Sequence, residues 1–236
     1  MKKKIKSITI TQFDYIIRNV TDEEVDIQGH PNHYSEYDPE GHPLKEVKYD
    51  RRGNFEEMIT YEYDGTGHLI CETYYPEENE AAEKKTFEYD GSGQLIHAFK
   101  HYLDNSVDTI DYEYDGAGQL IKKTTHNEDG EIEQVEKFTW EEGKLIREEI
   151  FDDSGESLSL WEDRPVDMKN TRITRNEKGM VIKEVEVNDR EEILSTIERI
   201  YDEEDRALET RVWMDGRGES FSRHYFLKYE YSFFES

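Results

Sequence analysis

The sequence predicts an all-β fold: a long antiparallel up-and-down meander of hairpin repeats that forms a curved or spiralling sheet. Three observations carry this. A short unit recurs in tandem, a turn signature recurs with it, and the residues between turns alternate in polarity.

The repeat is plainest in three stretches, Tyr61–Ile70 (YEYDGTGHLI), Phe87–Ile96 (FEYDGSGQLI) and Tyr112–Ile121 (YEYDGAGQLI). Weaker copies lie between them. Gly41, Gly53 and Gly67 mark one run, and Gly118, Gly130, Gly143 and Gly155 another, with steps of 12 to 14 residues. Such a step is one strand plus one turn, so about fifteen units fill the chain from Tyr37 onward.

The turn has a chemical signature. Asp or Asn stands first and Gly fourth, as in Asp64–Gly67, Asp90–Gly93, Asp115–Gly118, Asn127–Gly130, Asp152–Gly155 and Asn176–Gly179. A first-position Asp or Asn can bond the backbone two residues on. The closing Gly accepts a left-handed conformation and returns the chain as a hairpin with a bulge. Asp64, Gly67, Asp90, Gly93, Asp115 and Gly118 are therefore structural turn residues.

Between turns the pattern has period two. Tyr112 and Tyr114 share one face with Glu113 opposite; Leu120, Lys122 and Thr124 share a face with Ile121, Lys123 and Thr125 opposite. Strands joined by four-residue turns are antiparallel neighbours. A flat sheet of this length is unusual, because strand twist makes it curl. The stretch Glu77–Lys85 has helix-forming composition but fits an enlarged hairpin loop.

Outside the repeat, residues 1–36 are expected to form an N-terminal cap or edge strand, with Ile5–Ile10 extended; His30, His33 and His42 are expected in a loop that runs on past residue 36. Residues 37–236 are the repeat domain, with a possible break near 161–170 (WEDRPVDMKN). The aromatic stretch Tyr225–Phe234 should cap the sheet.

Composition narrows the function. Asp and Glu number 57 against 30 Lys and Arg, a net charge of -27. This opposes nucleic-acid binding and anionic membranes and favours a basic protein partner. Leu, Ile, Val and Phe total 50 of 236 residues, a thin supply for a core; the 16 Tyr, 10 Phe and 3 Trp supplement it. The sole cysteine, Cys71, allows no intrachain disulfide. The opening MKKKIKSITITQF lacks the apolar run of a signal peptide, and no segment approaches a transmembrane span. A cytoplasmic protein is expected.

Catalytic motifs are lacking: there is no serine elbow, no P-loop and no His-Glu-x-x-His. The spacing of His30, His33 and His42 matches no established zinc signature. The Asp-Gly-x-Gly loops at Asp64, Asp90, Asp115 and Asp215 offer one Asp each, fewer oxygens than calcium needs. The reading is of no enzyme, no cofactor and no metal.

Acidic clusters remain: Asp22-Glu23-Glu24, Glu128-Asp129, Glu141-Glu142, Asp152-Asp153 and Asp202-Glu203-Glu204-Asp205. They fall at turns, and alternate turns of a meander line one edge. Glu128, Asp129, Glu141, Glu142, Asp152, Asp153, Asp202, Glu203, Glu204 and Asp205 are thus candidate partner-binding residues. The alternative is that they only guard the sheet against edge-to-edge aggregation.

The unit Tyr-Asp-x-x-Gly-x-Leu, beginning at Tyr63, Tyr89 and Tyr114, resembles the YD repeat of rearrangement-hot-spot (Rhs) proteins, wall-associated toxins and the toxin-complex cocoon. That resemblance implies a spiralling β-sheet. Small acidic YD-like proteins encoded beside bacterial polymorphic toxins look like immunity proteins. The resemblance therefore implies a cytoplasmic immunity protein whose partner is a basic toxin domain, perhaps a nuclease. A glycan-binding or surface module derived from a YD adhesin is the alternative, and a hydrolase hidden in the sheet's concavity a third.

Overall fold

The computed structural model describes residues 3–19, 24–163, 170–214 and 223–235. Among them are seventeen strands and no α-helix. The strands are β1 (Ile5–Asn19), β2 (Glu24–Tyr37), β3 (Pro43–Tyr49), β4 (Phe55–Tyr63), β5 (Leu69–Tyr75), β6 (Glu83–Tyr89), β7 (Leu95–Tyr102), β8 (Val107–Tyr114) and β9 (Leu120–His126). They continue with β10 (Ile132–Glu141), β11 (Lys144–Asp152), β12 (Ser157–Glu162), β13 (Thr171–Arg175), β14 (Val181–Val187), β15 (Ile193–Tyr201), β16 (Ala207–Met214) and β17 (Arg223–Phe233). The fold is an all-β, antiparallel, up-and-down meander, with fifteen strands from β3 to β17. Parts of three expectations lie outside the described residues: most of the possible break at 161–170, the turn beginning at Asp215, and Asp22 with Glu23.

Contacts divide the chain into two compact units. One is Glu57–Pro165; the other joins Met1–Glu56 to Val166–Ser236. In the first, each strand from β4 to β12 pairs with its chain neighbour. In the second, β13 to β17 pair in order, β17 pairs with β1, and β1 continues to β2 and β3. Strand β1 is hydrogen-bonded along both sides. The expected edge strand is thus corrected: it is an inner strand, and it runs well past Ile10.

The loop expected around the histidines is corrected in part: His42 lies in the turn between β2 and β3, as expected, but the other two do not lie in a loop. His30 and His33 lie within β2. Pro31 and Asn32 signal a loop, but the register against β1 shifts between His33 and Pro31. A bulge is where a strand tolerates proline, because no ladder bond is asked of its nitrogen.

The repeated turns all close alike. In the Asp64 turn, Oδ1 accepts the amides of Thr66 at 2.8 Å and His68 at 3.0 Å. The Gly67 amide donates to the Asp64 carbonyl at 3.1 Å, and the Asp64 amide to the His68 carbonyl at 2.9 Å. Asp90 and Asp115 repeat this with Ser92 and Gln94, and with Ala117 and Gln119. The fourth residue is left-handed in each, at φ +88°, +84° and +81° for Gly67, Gly93 and Gly118. Each hairpin then shifts register by one, for example between Glu113 and Tyr114, a bulge at the turn's exit. That bulge corrects the simple alternation expected after Leu120: Tyr114 pairs with Leu120, but Tyr112 pairs with Lys123. As expected, residues 76–82 are a loop; Glu83–Lys85 already belong to β6.

Four aromatics that precede turns, and Tyr231 near the end of β17, share one role. Tyr89 donates its hydroxyl to the Leu69 carbonyl at 2.8 Å, Tyr114 to Leu95 at 2.9 Å, Tyr201 to Val181 at 3.0 Å and Tyr231 to Ala207 at 2.8 Å. Trp140 does the same through its indole nitrogen, to Leu120 at 2.8 Å. In all five cases the backbone ladder between the two strands has already ended. Its last pair (Cys71–Thr86, His97–Asp111, Lys122–Lys137, Lys183–Glu198, Glu209–Lys228) lies three residues before the aromatic and two after the accepting carbonyl. The ring spans strands that have splayed and satisfies a carbonyl the ladder no longer reaches.

The core is thin. Among the described residues the buried apolar side chains are Val47, Cys71, Ala98, Val187, Val212 and Phe226. In the unit containing both chain ends, Phe13 stacks on Phe226 at 4.8 Å between centroids, and Lys228 lies over both rings.

Candidate acidic interaction edge

Antiparallel succession sorts the turns of the Glu57–Pro165 unit into two edges. One edge carries the turns starting at Asp64, Asp90 and Asp115, followed by the turn between β10 and β11. The other carries residues 76–82, 103–106, 127–131 and 152–156.

The second edge is acidic without compensation. Its turns hold Glu77, Glu78, Glu80, Asp104, Glu128, Asp129, Glu131, Asp152, Asp153 and Glu156, and no Lys or Arg. All are exposed except the half-buried Asp152. Asp104 and Asp152 ionise below the usual carboxylate range, because Ser106 and Ser154 donate hydroxyl and amide hydrogens to them. Exposed apolar side chains stand among the acids. Leu103, at the tip of its turn, is 77% exposed; Leu158 is 61% and Ile132 45% exposed at the starts of their strands.

Of the residues singled out from sequence, the structure brings Glu128, Asp129, Asp152 and Asp153 together on this edge. It separates the others. Glu141 and Glu142 lie on the opposite edge, in a two-residue turn where Glu142 and Gly143 both have positive φ (49° and 79°). This geometry matches strand twist and differs from the four-residue turn of the repeat.

The Asp202–Asp205 cluster belongs to the other unit and is largely neutralised. Arg206 holds Asp202 at 2.6 Å and Glu204 at 3.3 Å, and Lys178 holds Asp205 at 2.6 Å. Asp202 Oδ1 also closes its own turn, on the amides of Glu204 and Arg206. Glu203 is the exposed remainder that faces solvent.

Residues that the sequence did not single out include Glu77, Glu78, Glu80, Asp104 and Leu103. Counting charge along alternate turns, rather than in runs, is the signal that would have found them. A second unflagged cluster spans three strands: Asp111 accepts His97 Nδ1 at 2.7 Å and lies 3.5 Å from His126 Nδ1.

The three histidines weighed for metal are committed elsewhere. His30 Nε2 meets Asp14 at 2.8 Å, His33 Nε2 meets Ser35 at 2.7 Å, and His42 Nδ1 meets Asp38 at 2.8 Å. Burial lowers the His33 pKa. Among the described residues no group of three or more His, Cys, Asp or Glu side chains is placed to hold a metal ion. The carboxylates of Asp64, Asp90 and Asp115 face their own turn amides.

No family model and no curated protein matches the chain. Among solved structures, the chain is similar to a porin-like protein from Bacteroides uniformis at 11% identity and a TM-score of 0.42, covering 98% of this chain and 99% of that one. A porin-like protein from Bacteroides vulgatus gives 10% identity and a TM-score of 0.28 over the same shares. Likeness at these values bears on neither activity nor location. Among the described residues no helix is long and apolar enough to cross a membrane, which says nothing of strands.

Proposed function

We propose that this chain is a non-enzymatic protein-binding protein, an immunity protein of the bacterial cytoplasm that neutralises a basic toxin domain related to YD-repeat systems. The observation that carries it is the edge just described: ten carboxylates on four neighbouring turns, uncompensated by any base, with three exposed apolar side chains among them. A stable interface wants apolar anchors within a polar, charged surround, and the sign of this surround selects a basic partner.

Other features support a soluble binder. Both faces of β9 carry charge: Lys122 pairs with Glu113 on one face and Lys123 with Glu136 on the other, at 2.7 and 2.8 Å. A lipid-facing sheet needs one face free of charge.

The test is co-expression with a toxin domain encoded beside the gene, joined to kinetics. Cells should survive only with this chain present. The association rate should fall steeply from low salt to about 0.15 M, where screening acts beyond about 8 Å, while dissociation changes less. Reversing Glu128, Asp129 and Asp153 to Lys should slow association; reversing Glu141 and Glu142, on the opposite edge, should not. Absence of protection, or equal effects of both reversals, refutes the reading.

A further inference from the structure

We propose that the hollow at the start of β1 binds a small amphipathic monocarboxylate, an acid with an aliphatic body of about ten carbons. The inference is independent of the acidic edge and lies in the other unit. The hollow is open to solvent and measures about 430 Å³, within the ordinary range of ligand pockets. At about 30 Å³ for each water-sized group it has room for roughly a dozen heavy atoms.

Its walls follow from an irregularity. The register of β1 against β17 shifts between Ile5 and Ser7, so that Ile5 pairs with Phe233 and Ile8 with Tyr231. This bulge puts two isoleucines three apart in sequence onto one face. Tyr37 and Pro39, at the end of β2 and in the following turn, complete an apolar lining. The body of the ligand belongs there.

The rim supplies the charge. Lys3 and Lys4 both line the hollow beside Glu40, and neither takes part in the ion pairs of the described residues. The Lys3 ammonium stands 6.0 Å from the Phe233 ring centroid. Glu40, also on the rim, and the overall negative field oppose a polyanion more than a monoanion. A monocarboxylate sets one charge against the lysines and leaves the rest to apolar contact.

Calorimetric titration of the full chain with sodium decanoate, and with methyl decanoate as the uncharged body, tests this. Decanoate should bind with Kd on the order of 0.1 mM. The double substitution K3Q/K4Q should weaken decanoate about tenfold and leave the ester unchanged. Because β1 begins at these residues, a second variant guards against misfolding. Pro39→Glu adds an acid where Glu128, Asp153, Glu177 and Glu203 stand in other turns, and it should weaken decanoate as well. The proposal is overturned if decanoate gives no saturable heat up to about 5 mM, if the ester binds as tightly as the acid, or if neither variant alters decanoate affinity.

Discussion

Replacing Gly130 and Gly93 by Ala, one at a time, separates two contributions that the turn geometry combines. Both glycines occupy the closing position of the repeated turn, at φ +79° and +84°. Holding an L-residue there costs about 1–2 kcal/mol, and stiffening the unfolded chain returns about 0.4–1. For Gly130 that is the whole effect, since a Cβ there meets nothing within 4 Å; a net loss of about 0.5–1 kcal/mol is expected. At Gly93 the new Cβ would lie 3.1 Å from His68 Nε2, on a ring stacked 4.6 Å from Tyr89. Moving that ring forfeits part of a contact of about 0.5–1.5 kcal/mol, so Gly93→Ala should cost about 1–2.5. Urea unfolding, read as midpoint at constant slope, measures both. Equal costs, or a larger cost at Gly130, would refute the reasoning.

Further expectations concern the ladder-ending aromatics and the turn acids. Tyr114→Phe removes the 2.9 Å bond to the half-buried Leu95 carbonyl and should cost about 1 kcal/mol in the same assay. Trp140→Phe should lose its bond to Leu120 likewise, with a larger total because the smaller ring also gives up packing. Asp64, Asp90 and Asp152 ionise below the usual carboxylate range, chiefly because the hydroxyls of Thr66, Ser92 and Ser154 and nearby amides donate to them. A depressed folded pKa means their stabilisation is complete above the unfolded value, about pH 4, and is lost as pH falls below it. The variant D64N/D90N/D152N keeps the turn bonds, as Asn127 and Asn176 do at 2.9–3.1 Å, without a titrating group. Its stability should decline less than that of the parent below about pH 4 in acid titration followed by circular dichroism.

Strand and turn were legible because both are written locally. The Asp that bonds two amides and the Gly that closes the turn sit within four residues of each other. What depended on register was not legible. Nothing in the Tyr-Asp dipeptide says that the ring serves a carbonyl on the neighbouring strand, nor that Trp140, which lacks a following Asp, does the same work. The histidine segment read as a loop because Pro31 masks a strand whose partner, β1, lies a hairpin away. The acidic surface was half visible. Runs such as Glu128-Asp129 stand out, whereas the edge they share with Glu77 and Asp104 follows only from alternation of turns, which also carries Glu141 and Glu142 to the other side.

The pairing of β1 with β17 has a mechanical consequence. Ile5 lies opposite Phe233, and the Phe234 amide donates to the Lys4 carbonyl at 3.1 Å. Tension applied through the two ends of the chain therefore falls on one hydrogen bond at a time, from Lys4 inward, and peels the strands apart like a zipper. It does not load the ladder in shear.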